Sequence, residues 1–178
     1  MLYVISQIFV IISYVLLAGT YFYKDRKKIL IMSFGAVASN AIGFIFLGAW
    51  SGVVMSLIAM TRNIIFLYRG NDKKINYIDF IILGVLYAIS IVSASLTYTG
   101  ILSLFSMLGT MIYTYSAWQK NPKVYKLLGI PASLCWIIYN IYVASVFGYI
   151  LEGILLVFEI IGTVKAFKID KKEENIKN

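Results

Sequence analysis

Tyr21-Phe-Tyr-Lys-Asp-Arg-Lys-Lys-Ile-Leu-Ile-Met32 places four cations, Lys24, Arg26, Lys27 and Lys28, between two long apolar runs. Three more basic clusters sit at similar boundaries: Arg69/Lys73/Lys74, Lys120/Lys123/Lys126 and Lys165/Lys168/Lys171/Lys172/Lys177. Together they hold fifteen of the sixteen Lys and Arg residues. The remaining turns, Gly48-Ala-Trp-Ser-Gly52, Thr97-Tyr-Thr-Gly100 and Val146-Phe-Gly-Tyr149, carry none. Positively charged short loops stay cytoplasmic during insertion, so this alternation predicts both a polytopic topology and its orientation. The N-terminus is expected outside and the C-terminus inside.

Composition excludes most alternatives. The chain is 61% hydrophobic and 13% charged, with a mean hydropathy of +0.85; soluble domains carry about 25% charged residues. The net charge of +8 belongs beside anionic cytoplasmic lipid, and no basic groove with interleaved aromatics suggests nucleic acid. Cys135 is the only cysteine and histidine is absent, so an intrachain disulfide is impossible and haem, zinc or Ser-His-Asp chemistry is not expected. The apolar start at Leu2, with its positive cluster after the hydrophobic run, reads as a first membrane helix and not as a cleaved signal peptide. No cofactor and no enzymatic activity are expected.

A span needs roughly 20 apolar residues. On that ruler seven helices fit, at about 2–23, 29–48, 52–68, 77–97, 100–118, 127–146 and 149–167. Sliding the chain by 96 residues lays helices 1–3 on helices 5–7 without a gap: Lys24 falls on Lys120, Lys27 on Lys123, Gly52 on Gly148 and Ile64-Ile65 on Ile160-Ile161. Both triplets begin outside, so the copies are parallel and helix 4 inverts the chain between them, a known transporter plan. The expected fold is an all-α membrane protein of seven transmembrane helices in a 3+1+3 layout. Residues 1–69 form the first three-helix bundle, 70–98 the linker helix, 99–168 the second bundle and 169–178 a cytoplasmic tail.

That layout resembles the SWEET/PQ-loop (MtN3-like) superfamily, with PnuC-type vitamin transporters as relatives. More closely, Cys135-Trp-Ile-Ile-Tyr-Asn140 followed by Gly148-Tyr-Ile-Leu-Glu-Gly153, with Gly48…Gly52 and Arg62, is similar to the bacterial inner-membrane YgjV family. The resemblance implies a multi-pass protein of the bacterial cytoplasmic membrane that moves a small polar solute through a site between two bundles. One departure is plain: there is no Pro-Gln motif. Pro122 lies in an inner loop, Pro131 precedes Ala132, and the counterpart of Pro131 is Gly35. Helices 1 and 5 offer Gly19, Gly100 and Gly109 as places to bend.

Polar side chains in hydrocarbon are costly, and so mark candidate sites. Glu159 falls near the middle of helix 7, and the 96-residue offset maps it onto Asn63 of helix 3. The resemblance implies that this pair contacts substrate, and an acid there points to a cationic, amine-bearing or proton-coupled solute. Otherwise Glu159 is a hydrogen-bonded structural glutamate. Trp136 is the mid-depth tryptophan and can stack on a flat ring, whereas Trp50 and Trp118 are expected as interfacial anchors. Its counterpart is Asn40, where the resemblance implies a second tryptophan. Asn140 shares a face with Trp136 at helical spacing; the plainer reading is a packing Trp with a helix-bridging Asn.

Arg62 either pairs with Glu159 or snorkels toward the inner headgroups. Glu152 either reaches water or guards the outer mouth. Asp79 is expected near the cytoplasmic surface, solvated or lysine-paired, and Gln7 is uninformative. Small residues on helix 4 (Ala88, Ser90, Ser93, Ala94, Ser95) serve internal packing or a homodimer seam.

The expected function is therefore a facilitator or proton-linked carrier working by alternating access. It would take a small polar solute, ring-containing or amine-bearing, at a midplane site. The alternative is a membrane receptor or scaffold whose basic tail recruits a partner.

Overall fold

The computed structural model describes residues 1–23, 25–69, 76–119 and 121–177, with side-chain detail at all of these except 122 and 165–177. Lys24, Lys73, Lys74 and Lys120 of the basic clusters lie outside the described residues, as do the side chains of Pro122 and of the tail lysines.

Among the described residues seven α-helices form: α1 (Leu2–Thr20), α2 (Arg26–Leu47), α3 (Trp50–Tyr68), α4 (Tyr77–Leu96), α5 (Leu104–Trp118), α6 (Pro122–Tyr142) and α7 (Val146–Lys177). Six are long and apolar enough to cross a membrane. The exception is α5, whose 15 residues are preceded by a 3-10 turn over Ile101–Ser103.

Local chemistry sets most boundaries. Asp25 caps α2 by accepting from the Lys27 N–H at 3.0 Å, and Asn121 caps α6 through the Lys123 N–H at 2.9 Å. Both helices therefore begin inside their basic clusters, three and five residues before the apolar run predicts. Proline at the first position of α6 suits that start, because the missing N–H is one that the helix leaves unpaired anyway.

The turn between α6 and α7 falls earlier than expected. Helix α6 stops at Tyr142, and Ala144 takes the left-handed conformation at φ 54°. The Ser145 N–H bonds the Asn140 carbonyl at 2.9 Å, a Schellman-type closure. Val146-Phe-Gly-Tyr149 is thus the first turn of α7 and not a loop. At its far end α7 runs on to Lys177, past the expected end at 167.

Sequential helices pack as neighbours: α1 on α2, α2 on α3, α5 on α6 and α6 on α7. Two further contacts, α1 with α7 and α3 with α5, close the ring, while α4 leans chiefly on α3 and α5. Large apolar side chains cover the outer surface, for example Val15, Ile89, Leu134 and Phe158. In a soluble protein such a surface would aggregate; against lipid it is the expected exterior.

Polar contacts tie one end of the ring together. Arg26 donates to the Ala117 carbonyl at 3.0 Å and the Phe66 carbonyl at 3.5 Å, joining the start of α2 to the ends of α5 and α3. A cation suits such C-terminal carbonyls. Arg69 pairs with Asp79 at 3.0 Å, and Asp79 also receives the Asn76 N–H at 2.9 Å, closing a capping box on α4. Asp79 is therefore buried against an arginine and is not solvated. Trp118 is buried too, donating to the Asp79 carbonyl at 3.0 Å; it packs inside the bundle and is no interfacial anchor, whereas Trp50 is exposed.

Candidate functional site

A cavity of about 50 Å³ lies among the helices, room for a few waters. It is lined from α1 (Ser13, Tyr14, Leu17), α2 (Ser33, Ala36, Val37, Asn40), α3 (Ser56, Ala59, Arg62), α5 (Thr110, Tyr113), α6 (Tyr125, Trp136) and α7 (Glu152). Every helix except α4 contributes. A roomier groove lined by Ile31, Phe34, Ile64 and Leu67 together with Lys27 and Tyr68 opens on the outer surface, where Ile31 and Ile64 are half-exposed; its apolar part reads as lipid contact.

The candidates from the sequence divide into two groups. Asn40, Arg62, Trp136 and Glu152 line the cavity directly. Asn63, Asn140 and Glu159 are buried one contact behind its wall. Asn63 accepts from Arg62 Nε at 3.1 Å and Nη2 at 3.0 Å, and donates to Ser33 at 3.0 Å. Asn140 donates to the Tyr14 hydroxyl at 3.1 Å. Glu159 Oε1 accepts from Tyr21, from Tyr113 at 3.1 Å and from Ser133 at 3.0 Å. The second Glu159 oxygen, and Oε1 of Glu152, are buried with no hydrogen-bond partner among the described residues.

Two expectations change here. Arg62 is only 2% exposed and neither snorkels nor pairs with Glu159. Its guanidinium turns to the neighbouring Asn63 and to Thr114, 3.5 Å away, and among the described residues no carboxylate comes within ion-pair distance of it. Glu152 is 2% exposed and faces the cavity, so it does not reach bulk water.

The aromatic wall is ordered by close packing. Trp136 stacks on Phe44 at 6.0 Å and meets Tyr139 edge-on at 5.6 Å. Gly109 of α5 lies beneath the indole: a Cβ there would come within 2.7 Å of Trp136 Nε1. Gly109 thus makes room for the ring, and Gly100, at φ 146°, belongs to the turn before α5.

Sequence reasoning missed Tyr139 and the hydroxyl lining. Tyr139 is fully buried; its hydroxyl accepts the Gly52 N–H at 2.7 Å and shares a 2.8 Å bond with Ser51, pinning the start of α3 to α6. Gln7 acts similarly at α7, accepting the Phe147 N–H at 3.0 Å. Ser13, Tyr14, Ser33, Ser56, Thr110 and Tyr113 line the cavity, yet Ser, Thr and Tyr are common enough in membrane helices to give no sequence signal.

A family model described as a bacterial inner membrane protein, Imp-YgjV, matches residues 4–169. No curated protein and no solved structure matches the chain.

Proposed function

The chain belongs to the Imp-YgjV family of bacterial inner membrane proteins, a multi-pass protein of that membrane, and from this premise we propose that it carries a small polar solute across the bilayer. The observation that carries the proposal is the cavity: six helices converge on a polar and aromatic hollow from which only α4 is excluded. A scaffold has no need to keep Arg62, Glu152 and a row of hydroxyls facing one another in hydrocarbon, since each is costly there.

Pseudo-symmetry supports alternating access between two parallel bundles, α1–α3 and α5–α7, with α4 as linker. The 96-residue offset relates the caps Asp25 and Asn121 and the starts of α2 and α6 and of α3 and α7. It also relates the left-handed turn residues Gly48 and Ala144. The turn bonds repeat as well, Ala49 N–H to Phe44 carbonyl and Ser145 N–H to Asn140 carbonyl, at 3.0 and 2.9 Å. Four pairs of cavity residues obey the same offset: Tyr14/Thr110, Leu17/Tyr113, Asn40/Trp136 and Ser56/Glu152. These pairs support a cavity shared by the two repeats, where a rocking motion of one bundle against the other would leave a site fixed. At about 50 Å³ it fits an occluded state, closed to both sides. The likeness to SWEET/PQ-loop transporters belongs to this proposal, as does the N-out, C-in orientation.

A thermal-shift screen of the purified protein against sugars, nucleosides, vitamins, amines and amino acids tests it. A ligand that binds the native state raises its stability. The expected result is a stabilising class of solutes whose effect disappears in Trp136→Ala. Stabilisation retained by Trp136→Ala would move the site, and no response from any class would favour the scaffold reading.

A further inference from the structure

Arg62 is the one permanently charged group in the cavity wall, because a guanidinium stays protonated under any physiological condition. Its neighbours are neutral: the Asn63 carboxamide and the Thr114 hydroxyl. The two acids of α7 do not answer it. Glu152 lines the cavity but lies beyond ion-pair distance, and Glu159 is engaged by Tyr21, Tyr113 and Ser133. The one salt bridge among the described residues, Arg69 with Asp79, is elsewhere.

A buried charge without a counter-charge is strongly unfavourable. Two of the guanidinium nitrogens are satisfied by Asn63, and Nη1 reaches Thr114 only at 3.5 Å, the outer limit of a hydrogen bond. The Nη1 edge is thus the weakly engaged side of a planar donor fork whose geometry suits a carboxylate.

We infer that Arg62 is the anion receptor of this cavity and that the transported solute is a small organic carboxylate, with or without an amine elsewhere in it. This rests on the carrier reading above and narrows its substrate class. Asn63 is a positioning residue: it holds Nε and Nη2, while Ser33 in turn holds Asn63 at 3.0 Å. Trp136 and Tyr113 supply the apolar and aromatic flank for the carbon skeleton.

Matched acid and amide pairs isolate the carboxylate: lactate against lactamide, succinate against succinamide, benzoate against benzamide and glycine against glycinamide. The readout is the melting temperature of the full-length protein in detergent at constant ionic strength. At least one acid is expected to raise it while its amide does not, and Arg62→Gln is expected to fold and to lose that difference. Arg62→Lys keeps the charge but not the fork, and is expected to weaken the response. If Arg62→Gln fails to fold, Arg62→Lys decides: a weakened acid-specific shift supports the receptor, and an unchanged one overturns it. Equal shifts from acid and amide, or from sodium chloride alone, overturn the carboxylate assignment. Stabilisation by sugars or nucleosides with none by any acid overturns it too, while leaving the carrier reading intact.

Discussion

Tyr139 shows how a single hydroxyl can organise two helices. It accepts the Gly52 N–H and bonds Ser51, so the first turn of α3 has a partner it would otherwise lack in a dry environment. Tyr139→Phe strands that N–H, and an unsatisfied buried donor costs about 1–3 kcal/mol. Unfolding in mixed detergent should show a loss of that order, with Ser51→Ala costing less because it leaves the N–H bond intact. Gly109 invites a second test at the same scale. Alanine there would place a Cβ 2.7 Å from the Trp136 ring nitrogen, and overpacking of this kind costs about 1–3 kcal/mol. Gly109→Ala should lower stability and alter tryptophan fluorescence, while Gly84→Ala, with open space at its Cβ, should do neither.

Helix boundaries show what a hydropathy ruler reads and where it stops. The apolar runs predict seven helices of spanning length, because a bilayer demands spans of nearly fixed length. Seven helices form among the described residues and six of them are long enough to cross, α5 falling short at 15 residues. Their ends are set by capping, which the ruler does not see: Asp25 and Asn121 start α2 and α6 among lysines, and Ala144 closes α6 without a glycine. The candidate site divides in the same way. Asn40, Arg62, Trp136 and Glu152 stand out because they are rare in hydrocarbon, and they reach the cavity. The partners of Arg62 and Glu159 depend on rotamers and on which hydroxyls lie across the helix interface, and no spacing rule encodes those. The start of α4 offers a test of such hidden capping. Asp79→Ala removes a helix cap and the Arg69 pair together; loss of a cap alone costs about 1 kcal/mol. Lower thermal stability than Asp79→Asn, which keeps an acceptor for the Asn76 N–H, is the expected outcome.

Among the described residues the molecule is a ring of six helices around a small hollow lined by polar and aromatic side chains among apolar ones, with a seventh helix leaning on two of them. Its orientation is testable because Cys135 is the sole cysteine. In a Cys135→Ser background, cysteines placed singly at Gly48, Thr99 and Ala144 should react with an impermeant maleimide added to intact cells. A cysteine at Gln119 should react only after the membrane is opened, and the reverse pattern would invert the topology.

Filling the cavity tests the carrier proposal most directly. Ala59 is buried on its wall, and leucine there should occupy the hollow while preserving or raising stability, as cavity-filling changes commonly do. Uptake of the stabilising solute should be measured in proteoliposomes for the native protein and for Ala59→Leu, with thermal stability recorded for both. A carrier acting through this cavity gives saturable native uptake and a folded Ala59→Leu protein that transports little or nothing. Equal uptake by the two would mean that the solute takes another path, and the cavity would lose its assigned role.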